Sequence, residues 1–205
     1  MLRSLAILTS LITIFFSAGS FAQEAVDKNA LSQLTDAQKL SLEQALIGYS
    51  LFKKACFVDQ VNKSRYAFLD ANFSRHEGEK RDLFLGFSKT QKGEVWSVPF
   101  KQGVYIVIVE DNQNCHVLAK EGNREAFHLH FNALYNESKD SLKGVTPVYY
   151  PVAQTETIIL SGFEIKSAES QEPLAAISVS TPRDLSEDKP AAFMSFIVAE
   201  SQTDK

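Results

Sequence analysis

The sequence predicts an α+β domain, with N-terminal helices packed on an antiparallel sheet of about five or six strands and one inserted helix. Three observations predict it. Apolar residues recur at helical spacing from Leu42 to Cys56. Residues 103–109 are apolar at both parities, turn at 111–114 and return as 115–118, which reads as a buried hairpin. Beyond residue 154, three segments alternate with period two between polar loops.

The first 22 residues are of another kind. Arg3 gives a positive start, an apolar run of about twelve residues follows from Leu5 to Phe16, and Ser20-Phe21-Ala22 offers small residues for cleavage. This reads as a signal peptide spanning 1–22. The alternative, a membrane anchor, asks for about 20 apolar residues. Residues 23–34 are polar and without periodicity, a flexible lead-in. Residues 35–200 form the single domain and 201–205 a flexible tail. No later run is long and apolar enough to span a bilayer, so a soluble mature protein is expected, periplasmic or secreted beyond the outer membrane.

Losing Arg3 takes the formal charge from −4 to −5. With no basic stripe and no aromatic interleaving, this balance predicts no nucleic-acid partner. In an oxidising compartment the two cysteines, Cys56 and Cys115, read as one disulfide. Free buried thiols and a redox or metal pair are the other readings, the last without a Cys-x-x-Cys motif.

The elements follow in order. Thr35, with Gln38 three residues on, opens a helix whose stripe is Leu42, Ala45, Leu46, Tyr49, Phe52 and Cys56. Residues 66–69 and 83–87 read as two shorter helices, separated by a solvated charged loop at 75–81. Residues 94–98 meet Pro99, which predicts an edge strand. A strand with no polar face, such as 104–109, must be covered on both sides. Asn123 caps a helix to about residue 138; residues 144–151 are a Pro-bounded loop; and 155–166, 174–181 and 192–199 form a meander.

This element order is similar to the PAS and profilin-like sheets, a likeness that implies ligand sensing or protein binding only by analogy. The pair Phe52-x-x-x-Cys56 and Cys115-x-Val117 resembles that of small uncharacterised secreted or periplasmic proteins of Gram-negative bacteria. That resemblance covers about sixty residues and implies one disulfide and no assigned activity.

Chemistry has few places to sit. In 127–131 two histidines alternate with apolar residues. As a helix, Phe127, His130, Phe131 and Leu134 form the buried stripe and His128 points elsewhere, so the two imidazoles cannot share a metal. As a strand, both would face one side at a spacing metal sites use. The flanking residues favour the helix. A metal-binding protein or metal-dependent hydrolase using His128, His130 and His116 is therefore the alternative function. No Gly-x-Ser-x-Gly or phosphate loop occurs, no carboxylate lies in an apolar setting, and no cofactor is called for. Aromatic contacts supply the leading candidate surface, with Tyr149 and Tyr150 between prolines and Trp96 on the expected edge strand. The sequence thus predicts a non-enzymatic domain binding an unidentified protein or small ligand.

Overall fold

A computed structural model describes residues 33–58, 64–184 and 189–199; the signal-peptide reading of 1–22, most of the lead-in and the tail lie outside the described residues. From Asp36 onward the residues form one unit. It holds helix α1 (Asp36–Phe52) continuing into a π-helical run π1 (Lys53–Val58), then α2 (Arg65–Asn72), strand β1 (Ser74–His76) and α3 (Gly78–Leu85). β2 (Gly93–Phe100), β3 (Gly103–Glu110) and β4 (Cys115–Ala119) form a meander. Helix α4 (Arg124–Ser141) then leads to β5 (Val145–Gln154), β6 (Ile158–Ser167), β7 (Pro173–Pro182) and β8 (Ala192–Val198).

The fold is α+β, with an antiparallel sheet of eight strands in the order β1-β2-β3-β4-β8-β7-β6-β5. Two strands beyond the expected number explain the larger sheet. Ser74–His76, expected within or beside a solvated loop, pairs with β2 and takes the edge. The Pro-bounded loop around Tyr149 is β5, paired along β6 with a bulge between Tyr150 and Ala153. β2 is therefore one strand in from the edge, and Pro99 sits in register with Val104 near its end.

The alternation of side chains gives the sheet two unlike faces. On the inner face, Tyr105, Val107 and Val109 of β3, Cys115 and Val117 of β4, Met194 of β8, Ile177 and Val179 of β7 and Phe163 of β6 meet Ala45, Tyr49 and Phe52 of α1 and Phe127, Phe131 and Leu134 of α4. The expected stripe of α1 is rotated slightly. Leu46 is exposed, whereas Gln44 and Gly48 are buried. Gly48 accounts for this, because a Cβ there would lie 3.0 Å from Phe127 and 3.2 Å from Tyr105. Gln44 is accommodated by polar contacts: its Nε2 donates to the Lys101 carbonyl and its own carbonyl accepts from Tyr105 Oη.

On the outer face, α3 lays Leu85 and Phe84 on Val95, Ile106, Ile108, Leu118 and Phe193. This is the second cover that the all-apolar strand 104–109 requires. Cys56 of π1 is bonded to Cys115 of β4, with Cα atoms 5.3 Å apart and a sequence separation of 59. In the chain-entropy model such a closure stabilises by about 4 kcal/mol.

Candidate functional site

Helix α3 covers the outer face only over β1–β4 and the Phe193 end of β8. Across β5–β8 that face carries large apolar side chains with substantial exposure: Tyr150 42%, Leu160 37%, Leu174 45% and Ile197 41%. The register places small residues among them. Tyr150 is opposite Gly162, Gly162 opposite Ser178, Ser178 opposite Ser195, and Ser195 opposite His116. One row of small side chains thus crosses the sheet between Tyr150 and His116, flanked by Leu160 and Phe193 on one side and Glu164 and Ile197 on the other. Gly162 is fixed by close packing, since a Cβ there would lie 2.9 Å from the Ile177 carbonyl oxygen.

His116 ends this row in a buried polar cluster that sequence reasoning missed. Glu110 is fully buried, among polar partners rather than in the apolar setting that would raise a carboxyl. Its Oε1 lies 2.9 Å from His116 Nε2, and its Oε2 accepts from Thr90 Oγ1 at 3.0 Å and Asn114 Nδ2 at 3.2 Å. His116 Nδ1 lies 2.9 Å from Ser195 Oγ, and the ring stacks on Phe193 at 5.2 Å. Burial pushes the Glu110 carboxyl up, but the bonds it accepts from His116, Thr90 and Asn114 outweigh it and hold the group below its ordinary value. Burial lowers His116, against a smaller upward pull from Glu110.

An ionised Glu110 beside a neutral His116 sets the direction of each bond. Nε2–H donates to Glu110, and Nδ1 accepts from the Ser195 hydroxyl. This is the bond polarity of a Ser–His–acid triad with the ring nitrogens exchanged. Geometry decides against nucleophilic use. Ser195 is 4% exposed and sits on an interior strand laddered on both sides, so neighbouring N–H groups are not free to hold an oxyanion. The cluster is a satisfied polar seam joining β3, β4 and β8.

The other predicted site residues are not brought together. Trp96 is fully buried on the inner face, donating to Asp70 Oδ1 at 2.9 Å beneath Arg75 and Tyr66, and is unavailable for surface contacts. Tyr149 faces inward, its hydroxyl on Asn132 and its ring against Tyr135. Tyr150, the adjacent residue, faces outward. The segment 127–131 is helical, with Asn123 as cap accepting from the Ala126 N–H. His128 bonds to Ser161 and Thr181, His130 stacks on Tyr49, and His116 is on the opposite face of the sheet. Among the described residues no group of three or more His, Cys, Asp or Glu side chains is placed to hold a metal.

A cleft of about 310 Å³ opens between α3 and the ends of β2 and β3, lined by Arg81 and Lys92 against Glu94 and Asp111. Charges of both signs at its mouth favour neither an anion nor a cation. No helix among the described residues is long and apolar enough to cross a membrane. No family model, curated protein or solved structure matches the chain.

Proposed function

We propose that the chain is an exported, disulfide-stapled domain of the periplasm or cell exterior that binds an extended apolar segment of a partner protein. Its binding surface is the outer face of β5–β8, beside Tyr150. The observation that carries this reading is the exposure of Tyr150, Leu160, Leu174 and Ile197 on a sheet face that α3 leaves uncovered.

The sheet's other surfaces support it by offering less. The inner face is filled by α1 and α4. Edge strand β1 is three residues long. The opposite edge, β5, contains Pro147 and Pro151, which have no N–H to donate, and a bulge. Both edges are therefore poor templates for strand addition. Four strands at about 4.8 Å spacing, six residues long at about 3.4 Å each, span roughly 400 Å². That is about half of what one partner contributes to a standard interface, which suits a peptide segment better than a second globular face. The disulfide and the resemblance to small secreted proteins support export.

A photo-crosslinking residue placed at Leu160 or Ile197 in the exported protein tests this. Covalent capture of the same partner from both positions is expected, abolished by Tyr150→Ala with Leu174→Asp. Equal capture from Leu129, exposed on α4, or capture of nothing from either position, overturns it.

A further inference from the structure

The two long helices on the inner face are fastened differently. α1 runs into π1, whose Cys56 is bonded to β4. α4 contains no cysteine. Besides its apolar stripe, α4 is held by Arg124 donating to the Pro182 and Arg183 carbonyls, by the Lys53–Glu137 ion pair, and by two histidines on different sides of the stripe. His128 Nδ1 lies 2.8 Å from Ser161 Oγ on β6, and its Nε2 lies 2.9 Å from Thr181 Oγ1 on β7. His130 lies nearly parallel to Tyr49 of α1, with ring centroids 4.9 Å apart and 13° between planes.

These contacts suit neutral imidazoles. Burial lowers both groups from 6.5, with Glu125, exposed on α4, pulling His128 weakly back. From the sheet, His128 meets two uncharged hydroxyls. On its own helix the charged groups nearby are Glu125 and Arg124, the latter committed to carbonyls. From α1, His130 meets Tyr49, whose hydroxyl is pushed far up by burial and then by the Glu137 carboxylate, and so stays uncharged. The Lys53–Glu137 pair lies two turns farther along α4 and is closed on itself at 2.6 Å. A proton on either ring would thus sit half-buried with no carboxylate bonded to it. On His128 it would also turn the accepting nitrogen into a donor, so one hydroxyl must reverse.

We propose that α4 is an acid-released latch. Mild acidification raises the frequency with which it lifts from β6, β7 and Tyr49, against the burial of Phe127, Phe131 and Leu134, and transiently bares the inner face around Phe163, Ile177 and Val179, while the Cys56–Cys115 bond keeps α1 on β4. His116 is not part of the device, because its Nε2 already faces Glu110. His76, bonded to Ser97 and packed on Phe84, belongs to the far end of the sheet.

The sign follows from linkage. A histidine lowered in the folded state contributes stability that is fully present above the unfolded value of 6.5 and is lost as pH falls through it toward the folded value. At pH 5 each ring can favour the open state by up to roughly 30-fold.

Hydrogen-exchange mass spectrometry of the intact protein at pH 7.5 and 5.0, normalised for intrinsic exchange, tests the proposal. Protection of residues 124–141 is expected to fall at least tenfold relative to residues 36–52 and 103–119. His116→Gln should keep that response. His130→Gln alone should reduce it, and His128→Gln with His130→Phe should remove it. Loss of protection in α1 and α4 together, retention by α4 at pH 5, or an unchanged response in both His130→Gln and the double variant would overturn the latch. If the double variant does not fold, the wild-type comparison and His130→Gln decide.

Discussion

Glu110 and His116 face each other across the β3–β4 turn, Oε1 to Nε2 at 2.9 Å, and both are buried. Four further groups complete their bonding: Thr90 and Asn114 on the carboxylate, Ser195 and the Phe193 ring on the imidazole. Asn114 also accepts from the Val198 N–H, so the turn is tied to the last strand.

Replacing Glu110 by Gln keeps the shape of this seam but puts an amide N–H₂ where acceptors are needed. It should destabilise the domain by about 2–4 kcal/mol, because at least one buried donor loses its partner. Urea unfolding at pH 7.5 measures this, and a loss under 0.5 kcal/mol would show the seam to be dispensable. The carboxyl is lowered, so its contribution is present above the unfolded value of 4.5 and is lost as pH falls through the folded one. The deficit of the variant should therefore shrink in acid.

The Ser195 hydroxyl should be chemically silent. An alkyl fluorophosphonate, which reports activated serines, is expected to leave it unmodified in the native protein. A stoichiometric adduct at Ser195 that His116→Gln abolishes would mean that the seam is a nucleophilic centre after all.

Reduction of the staple should be costly. The mature chain should weigh two mass units less than its reduced form, and Cys56→Ala with Cys115→Ala should lose about 3–4 kcal/mol in urea unfolding. Two thiols alkylated in the native protein would contradict the bond between Cys56 and Cys115.

Gly93 starts β2 with φ of 144°, and a Cβ there would lie 2.2 Å from the Val109 carbonyl oxygen. Gly93→Ala must shift backbone beside Glu110, with an expected loss of about 2–4 kcal/mol. Thermal unfolding of this variant against Gly144→Ala separates two causes. Gly144 also has a positive φ, 75°, but nothing lies within 4 Å of its Cβ position, so it carries the conformational strain without the clash. Equal losses would refute the steric account.

Much of the architecture was legible in the sequence because burial leaves a periodic trace. The even spacing of Ile159 to Ile165, Ala175 to Val179 and Met194 to Val198 marked three strands, and all three are present. Asn123 announced its helix by a capping bond that is local in the chain. The misread segments are those in which a rule about single residues was overruled by pairing. Pro147 and Pro151 suggested a loop, yet prolines are tolerated where a strand has one free edge. The charges around Arg75 suggested a solvated loop; Arg75 is exposed, yet residues 74–76 pair as a strand, with Arg75 over Trp96 and bonded to Glu94. Glu110 was the most consequential miss. Its position, two residues beyond Ile108 on the same face, sets it diagonally beside His116, the partner of Ile108 in the hairpin register, and that register follows only once the turn is worked through. The exposed face of β5–β8 was not legible at all, because exposure there depends on where α3 stops, and helix length says nothing about which neighbour it covers.

The last strand of the chain lies at the middle of the sheet, between β4 and β7. A chain that emerges from its amino end can form the β2–β3–β4 meander and close Cys56 on Cys115 before residue 192 appears. The seam of Glu110, His116 and Ser195 cannot be completed until then. Folding should accordingly end with insertion of β8 between two preformed halves, a step of high sequence separation and so a slow one. Until it happens, β4 and β7 both present open hydrogen-bonding edges, which is the interval in which misassembly through strand pairing should be easiest.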